Sequence, residues 1–138
     1  MNKLFVYGTL RNSRIKDAVP EIAPYIKVRQ KGFVRGKLFD VGSYPAAIPY
    51  KNSGKKVYGE ILEIDNSKLE EVLRILDEYE EYSPADKKSS LFVRDAVNVN
   101  TNDDKRLKSW IYWFNGEIKN LKEIKDGIYR KRRQKLSA

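Results

Sequence analysis

One glutamate falls where a helix would place a hydrophobic side chain. The segment from Ser67 to about Tyr82 reads as an amphipathic helix, opened by the capping-box sequence Ser67-Lys68-Leu69-Glu70 and closed before Pro84. Leu69, Val72, Leu73 and Leu76 form its apolar stripe. With Leu69 at zero and about 100° per residue, Leu73 falls at about 40°, Leu76 at about 340° and Glu80 at about 20°. Glu80 therefore continues the core-facing stripe. Glu70, Glu71, Glu78 and Glu81 point away from its centre, and Asp77 flanks it. A carboxylate aimed at a core is costly unless it is hydrogen-bonded or set in a cleft. The negative end of the helix dipole and nearby carboxylates would raise its pKa further. These conditions suit a general base working near neutral pH. The alternative is a helix that ends before Glu80 and releases the side chain to water.

Two glycine-containing segments offer partners for such a base. Tyr7-Gly8-Thr9-Leu10 follows a short apolar run, and a glycine there lets backbone N–H groups turn toward a carboxylate or a developing oxyanion. Gly42-Ser43-Tyr44-Pro45 would be a rigid wall presenting the Tyr44 ring. Each segment, taken alone, also reads as an ordinary turn. Composition narrows the chemistry: the chain has no cysteine and no histidine. Disulfides, thiolate nucleophiles, Ser-His or Cys-His catalysis and zinc sites built from His or Cys are excluded. Acid–base work must come from Asp, Glu, Lys or Tyr.

The elements that would position these residues are short and mostly extended. Lys3–Tyr7 reads as a buried first strand, and segment 13–28 as weakly helical, broken by Pro20 and Pro24. Gln30–Phe39 reads as a strand kinked at Gly36, Ala46–Pro49 as a short strand, and Asn52-Ser53-Gly54 as a turn. Val57–Ile64 is a further strand, in which Gly59 marks a bulge or a close backbone approach. Leu91–Val99 and Leu107–Phe114 read as a hairpin joined by the polar stretch 100–105. Strands outnumber helices without regular alternation, which predicts an α+β fold. At 138 residues the chain has the length of one domain. Its formal charge of +9 is partly local, since the end reads Tyr129-Arg130-Lys131-Arg132-Arg133-Gln134-Lys135. That run is read as a solvated tail, with nucleic-acid binding as the less favoured alternative. The apolar runs are too short for a signal peptide or a membrane span, so a cytoplasmic location is expected.

Six segments in order resemble the gamma-glutamylcyclotransferase-like family, which includes the plant avirulence-induced-gene-like proteins and the gamma-glutamylamine cyclotransferases. Val6-Tyr7-Gly8-Thr9-Leu10-Arg11 is similar to its V-Y-G-[ST]-L-R opening, and residues 36–46 to its G-x-L-[FY]-D-x-G-x-Y-P-A segment. Val57-Tyr58-Gly59-Glu60-Ile61 resembles V-x-G-E-[LI], and Leu76-Asp77-Glu78-Tyr79-Glu80 resembles L-D-x-x-E. Residues 92–99 resemble Y-x-R-x-x-V-x-V, with Phe92 for the usual Tyr, and Trp110-Ile111-Tyr112 resembles the last strand. Glu81 departs from the pattern, standing where many members have Gly. The resemblance implies a small closed, barrel-like mixed sheet with flanking helices over residues 1–116. Residues 117–138 would form a basic extension, partly helical or disordered. It implies Glu80 as the catalytic base and Tyr7, Gly8, Thr9 and Leu10 as the substrate-holding loop, with Tyr44 and Tyr112 lining the pocket. The implied reaction converts a gamma-glutamyl amine or peptide to 5-oxoproline and a free amine. It requires neither metal nor organic cofactor. A non-catalytic small-molecule binder on the same fold is the alternative. The leaving amine and the oligomeric state stay open.

Overall fold

A fifteen-residue strand organises the molecule because it changes partners along its length. The computed structural model describes residues 1–8, 15–51 and 54–130. In chain order its elements are β1 (Lys3–Val6), α1 (Ile15–Ala18), β2 (Ile26–Asp40), β3 (Pro45–Pro49), β4 (Lys56–Ile64), α2 (Leu69–Tyr79), β5 (Phe92–Thr101), β6 (Arg106–Phe114) and β7 (Lys122–Glu123). The first part of β2 runs antiparallel to β4, down to Arg35 opposite Lys56. From Gly36 onward it pairs instead with β3, Gly36 opposite Pro49. The expected strand at 30–39 is therefore longer than predicted, and Gly36 marks a change of partner within a continuous strand.

Five strands close on themselves. β2 pairs with β4, β4 with β1, β1 with β6 in parallel, β6 with β5, and β5 returns to β2 at Gly32–Thr101 and Phe33–Asn100. β3 and β7 extend the outer end of β2. Closure removes most of the free edges that an open sheet of this size would expose. Side chains alternate across each strand, so β1 serves two cores. Leu4 and Val6 face a cluster that contains Val72, Leu73 and Leu76 of α2 together with Ile15, Val19 and Ile22. Phe5 and Tyr7 face the ring interior, with Val34, Val57, Ile61, Val99, Ile111 and Trp113. Burial on both faces is why β1 is apolar without alternation. β4 approaches β1 so closely that a Cβ at Gly59 would lie 2.2 Å from the Val6 carbonyl oxygen.

Several local expectations change. Among the described residues of segment 13–28, helix is confined to Ile15–Ala18 and a 3-10 turn at Ala23–Tyr25 that contains Pro24. Asn52 and Ser53 of the expected turn lie outside the described residues; Gly54 has a positive φ of 70°. The capping box at Ser67 does not form. A 3-10 turn at Asn66–Lys68 precedes α2, and Asp65 caps it by accepting the Ser67 N–H at 3.1 Å and hydroxyl at 2.9 Å. Asp65 outcompetes Ser67 because a carboxylate is the stronger acceptor. The helix ends at Tyr79 rather than near Tyr82. Among the described residues after 116 there is no helix; Lys122–Glu123 pairs with β2, and Tyr129 is buried in the ring-interior cluster. Barrel packing thus continues through Tyr129. Among the described residues no helix is long and apolar enough to cross a membrane.

Candidate active site

The end of α2 is built to stop at Glu80. Glu81 has a left-handed backbone (φ 55°), its N–H reaches the Glu78 carbonyl at 3.1 Å, and the Tyr82 N–H reaches the Asp77 carbonyl at 2.8 Å. This is the paired hydrogen-bond closure of a helix that most often carries glycine at the left-handed position. Glutamate there costs roughly 1 kcal/mol of conformational strain. The residue that departs from the family pattern thus occupies the position where glycine would be relaxed. Glu80 is the C-cap, and its N–H still bonds the Leu76 carbonyl at 2.8 Å. Its side chain therefore keeps the direction of the apolar stripe although the helix proper has ended.

That direction leads into a cavity of about 320 Å³. The cavity is lined from four sides: Tyr7 and Gly8 at the end of β1, Ser43 and Tyr44 before β3 with Pro45 at its start, Tyr79, Glu80 and Glu81 at the end of α2, and Phe92 with Tyr112 from β5 and β6. Its walls are mainly aromatic. Tyr44 packs on Phe92 at 5.9 Å between ring centroids, and Phe92 on Phe114 at 5.6 Å. Gly8 is needed for close approach: a Cβ there would meet the Pro45 ring at 2.7 Å. The β1 end and the Tyr44-Pro45 wall are thereby pressed together. Thr9 and Leu10, expected in the same loop, lie outside the described residues.

Protein packed around the Glu80 carboxyl raises its pKa from 4.5 to about 7, and the neighbouring Glu81 carboxylate adds to the rise. At neutral pH it can therefore both accept and donate a proton. The Tyr7 and Tyr112 hydroxyls are pushed far above the ordinary tyrosine value, chiefly by burial; the charge of Glu80 contributes at both. Both stay protonated and act as donors. Tyr7 donates to the Tyr112 carbonyl at 2.5 Å, and Tyr112 donates to Asp77 at 2.7 Å. Tyr112 thus lines the cavity while its hydroxyl is hydrogen-bonded to Asp77.

Two members of this arrangement escaped sequence reasoning. Asp77 is buried and receives Arg94 in a two-pronged ion pair, Nε at 2.8 Å and Nη2 at 3.1 Å. The Arg94 guanidinium lies over the Trp110 ring at 4.4 Å. Both residues stand inside motifs that could have flagged them, but the wheel places Asp77 at the edge of the stripe and says nothing of its partner in β5. Among the described residues no group of three or more Asp, Glu, His or Cys is gathered as a metal site.

Comparison with known proteins follows the same outline. A family model described as gamma-glutamyl cyclotransferase, AIG2-like, matches residues 4–131. No curated protein matches the sequence. Among solved structures, YkqA from Bacillus subtilis is similar with a TM-score of 0.65 and 23% identity over 93% of this chain, which spans only 39% of that one. An AIG2-like protein from Mus musculus is similar at 0.64 and 23% identity, covering 85% of this chain and 80% of that one. A structure named gamma-glutamyl cyclotransferase is similar at 0.56 and 18% identity, covering 88% and 69%.

Proposed function

From the premise that the chain belongs to the gamma-glutamyl cyclotransferase, AIG2-like family, we propose that it converts a gamma-glutamyl amine or peptide to 5-oxoproline and a free amine, with Glu80 as the base. The observation that carries this reading is a carboxyl poised at about pKa 7 inside an aromatic cavity, facing the end of β1.

The reaction asks for few groups. Glu80 takes a proton from the substrate's α-ammonium, and the freed amine attacks the substrate's own γ-carbonyl carbon. A five-membered ring closes as the carbon–nitrogen bond forms, and the carbonyl electron pair moves to oxygen. Collapse of this tetrahedral species breaks the bond to the leaving nitrogen, which receives the proton from Glu80; the ring nitrogen gives up its second proton, which the released amine takes up as it leaves as an ammonium ion. A base near pKa 7 suits both transfers, because it accepts a proton and returns it without a large penalty either way. Backbone N–H groups of the Tyr7–Leu10 loop would hold the substrate carboxylate or the developing oxyanion. The Tyr44, Phe92 and Tyr112 rings exclude water and fold the flexible glutamyl chain toward its cyclic geometry.

Incubation with a panel of gamma-glutamyl amines and dipeptides tests the reading. Release of 5-oxoproline from at least one member is expected. Recovery of a tightly bound ligand intact, with no 5-oxoproline across the panel, would favour the non-catalytic binder instead.

A further inference from the structure

The Asp77–Arg94 pair stands behind the cavity, not in it. Neither residue lines the Glu80 cavity; the pair lies in a separate open groove beside Arg74, Glu78 and Tyr82, partly buried and doubly hydrogen-bonded to one another. A partly buried ion pair of this kind adds little net stability over well-packed apolar side chains, because desolvation offsets the attraction. What it supplies is geometry. The Asp77 carboxylate joins three elements: its own helix α2, β5 through Arg94, and β6 through the Tyr112 hydroxyl. The Asp77 carbonyl accepts the Tyr82 N–H, one of the two bonds that close the helix end. Side chain and main chain of one residue therefore hold the turn on which Glu80 sits, three positions further on. The chain of donors continues through Tyr112 to Tyr7, whose hydroxyl bonds the Tyr112 carbonyl. The base and the end of β1 are thus referred to one carboxylate. Arg94 is itself fixed between the Trp110 ring at 4.4 Å and the Tyr82 ring at 5.9 Å.

We propose that Asp77 is the positioning residue for Glu80: clamped by Arg94 and Tyr112, it fixes the last turn of α2 so that the Glu80 carboxyl meets a substrate held at the end of β1. The assignment rests on the cyclotransferase reading for its kinetic consequence, not for its structural one. Asp77→Asn keeps an oxygen for Tyr112 but loses the charge that organises Arg94. Tyr112→Phe removes a single hydroxyl at constant ring packing.

Two readouts test it. The first is the Glu80 carboxyl titration, followed by carbon-13 NMR in the intact protein without substrate. The groups facing Glu80 are Glu81 on the following turn, Tyr7 from β1, Tyr112 from β6, and the Tyr44 and Tyr79 rings. None of these loses or gains a charge in Tyr112→Phe. In both variants the pKa should fall by about one unit or more toward the ordinary glutamate value, as the turn loosens and water reaches the carboxyl. Arg94→Lys, which keeps a cation against Asp77, should stay nearer the wild-type titration. The second readout is 5-oxoproline release, in which kcat should drop by about tenfold or more while KM changes little. Should Asp77→Asn fail to fold, Tyr112→Phe decides alone. Folded variants with an unshifted Glu80 titration overturn the positioning role. Absence of 5-oxoproline from the wild-type protein itself would overturn the cyclotransferase reading, and the titration would still judge Asp77.

Discussion

Ionising Glu80 costs the folded protein more than the unfolded chain. Its folded pKa of about 7 lies above its ordinary value of 4.5, so between those limits the native state binds more protons than the unfolded state. Its contribution is fully present below about pH 4.5 and is lost as pH rises through 7. The loss amounts to at most about 3 kcal/mol. Glu80→Gln should therefore unfold at higher urea concentration than wild type at pH 8, while the two differ little at pH 4.5. The same carboxyl predicts that activity rises as pH increases through about 7, since the base must be ionised to accept a proton. At this scale Glu80 was legible in the sequence because helical phase alone places it on the apolar stripe. Asp77 was not, because its meaning depends on Arg94 and Tyr112, which reach it only after the hairpin of β5 and β6 packs across α2.

The C-terminal turn of α2 combines a strained backbone with two adjacent carboxylates. Replacing Glu81 by Gly relieves the left-handed conformation and removes one charge. Stability should rise by up to about 1 kcal/mol, part of the gain being offset by greater freedom in the unfolded chain. The Glu80 pKa should fall, because Glu81 is one of the two causes of its elevation. Glu81→Gln separates the effects, lowering the Glu80 pKa while leaving the backbone strain in place; chemical denaturation and carboxyl NMR check the two halves. Apolar periodicity placed the helix and its stripe but not its start. A serine followed by glutamate three residues later satisfies the capping-box pattern, yet Asp65 begins the turn two residues earlier. Local motifs compete, and only the fold decides between them.

Long-range pairings make the barrel, and these carry the weakest local signals. Strand positions along β1, β4, β5 and β6 follow from apolar runs and turn residues. Closure between β2 and β5, and the parallel contact of β1 with β6, follow from no local pattern. The closed sheet was legible through family resemblance instead. The stretch after 116 was the least legible. Its charge suggests a solvated extension, whereas Tyr129 is buried among ring-interior residues and the Gly127 carbonyl accepts the Tyr58 N–H at 2.9 Å. Tyr129→Ala should lower the unfolding free energy by roughly 3 kcal/mol. A solvated position would leave it unchanged, and thermal unfolding distinguishes the two.

One carboxyl, turned into the cavity at the end of α2, is proposed to move the proton while the rest of the site holds the substrate. That role is tested most directly by 5-oxoproline release from a gamma-glutamyl amine, measured side by side for wild type and Glu80→Gln at equal ligand occupancy. Glu80→Gln is expected to fold, to bind, and to lose turnover by about a hundredfold or more. Undiminished release by that variant would contradict the role.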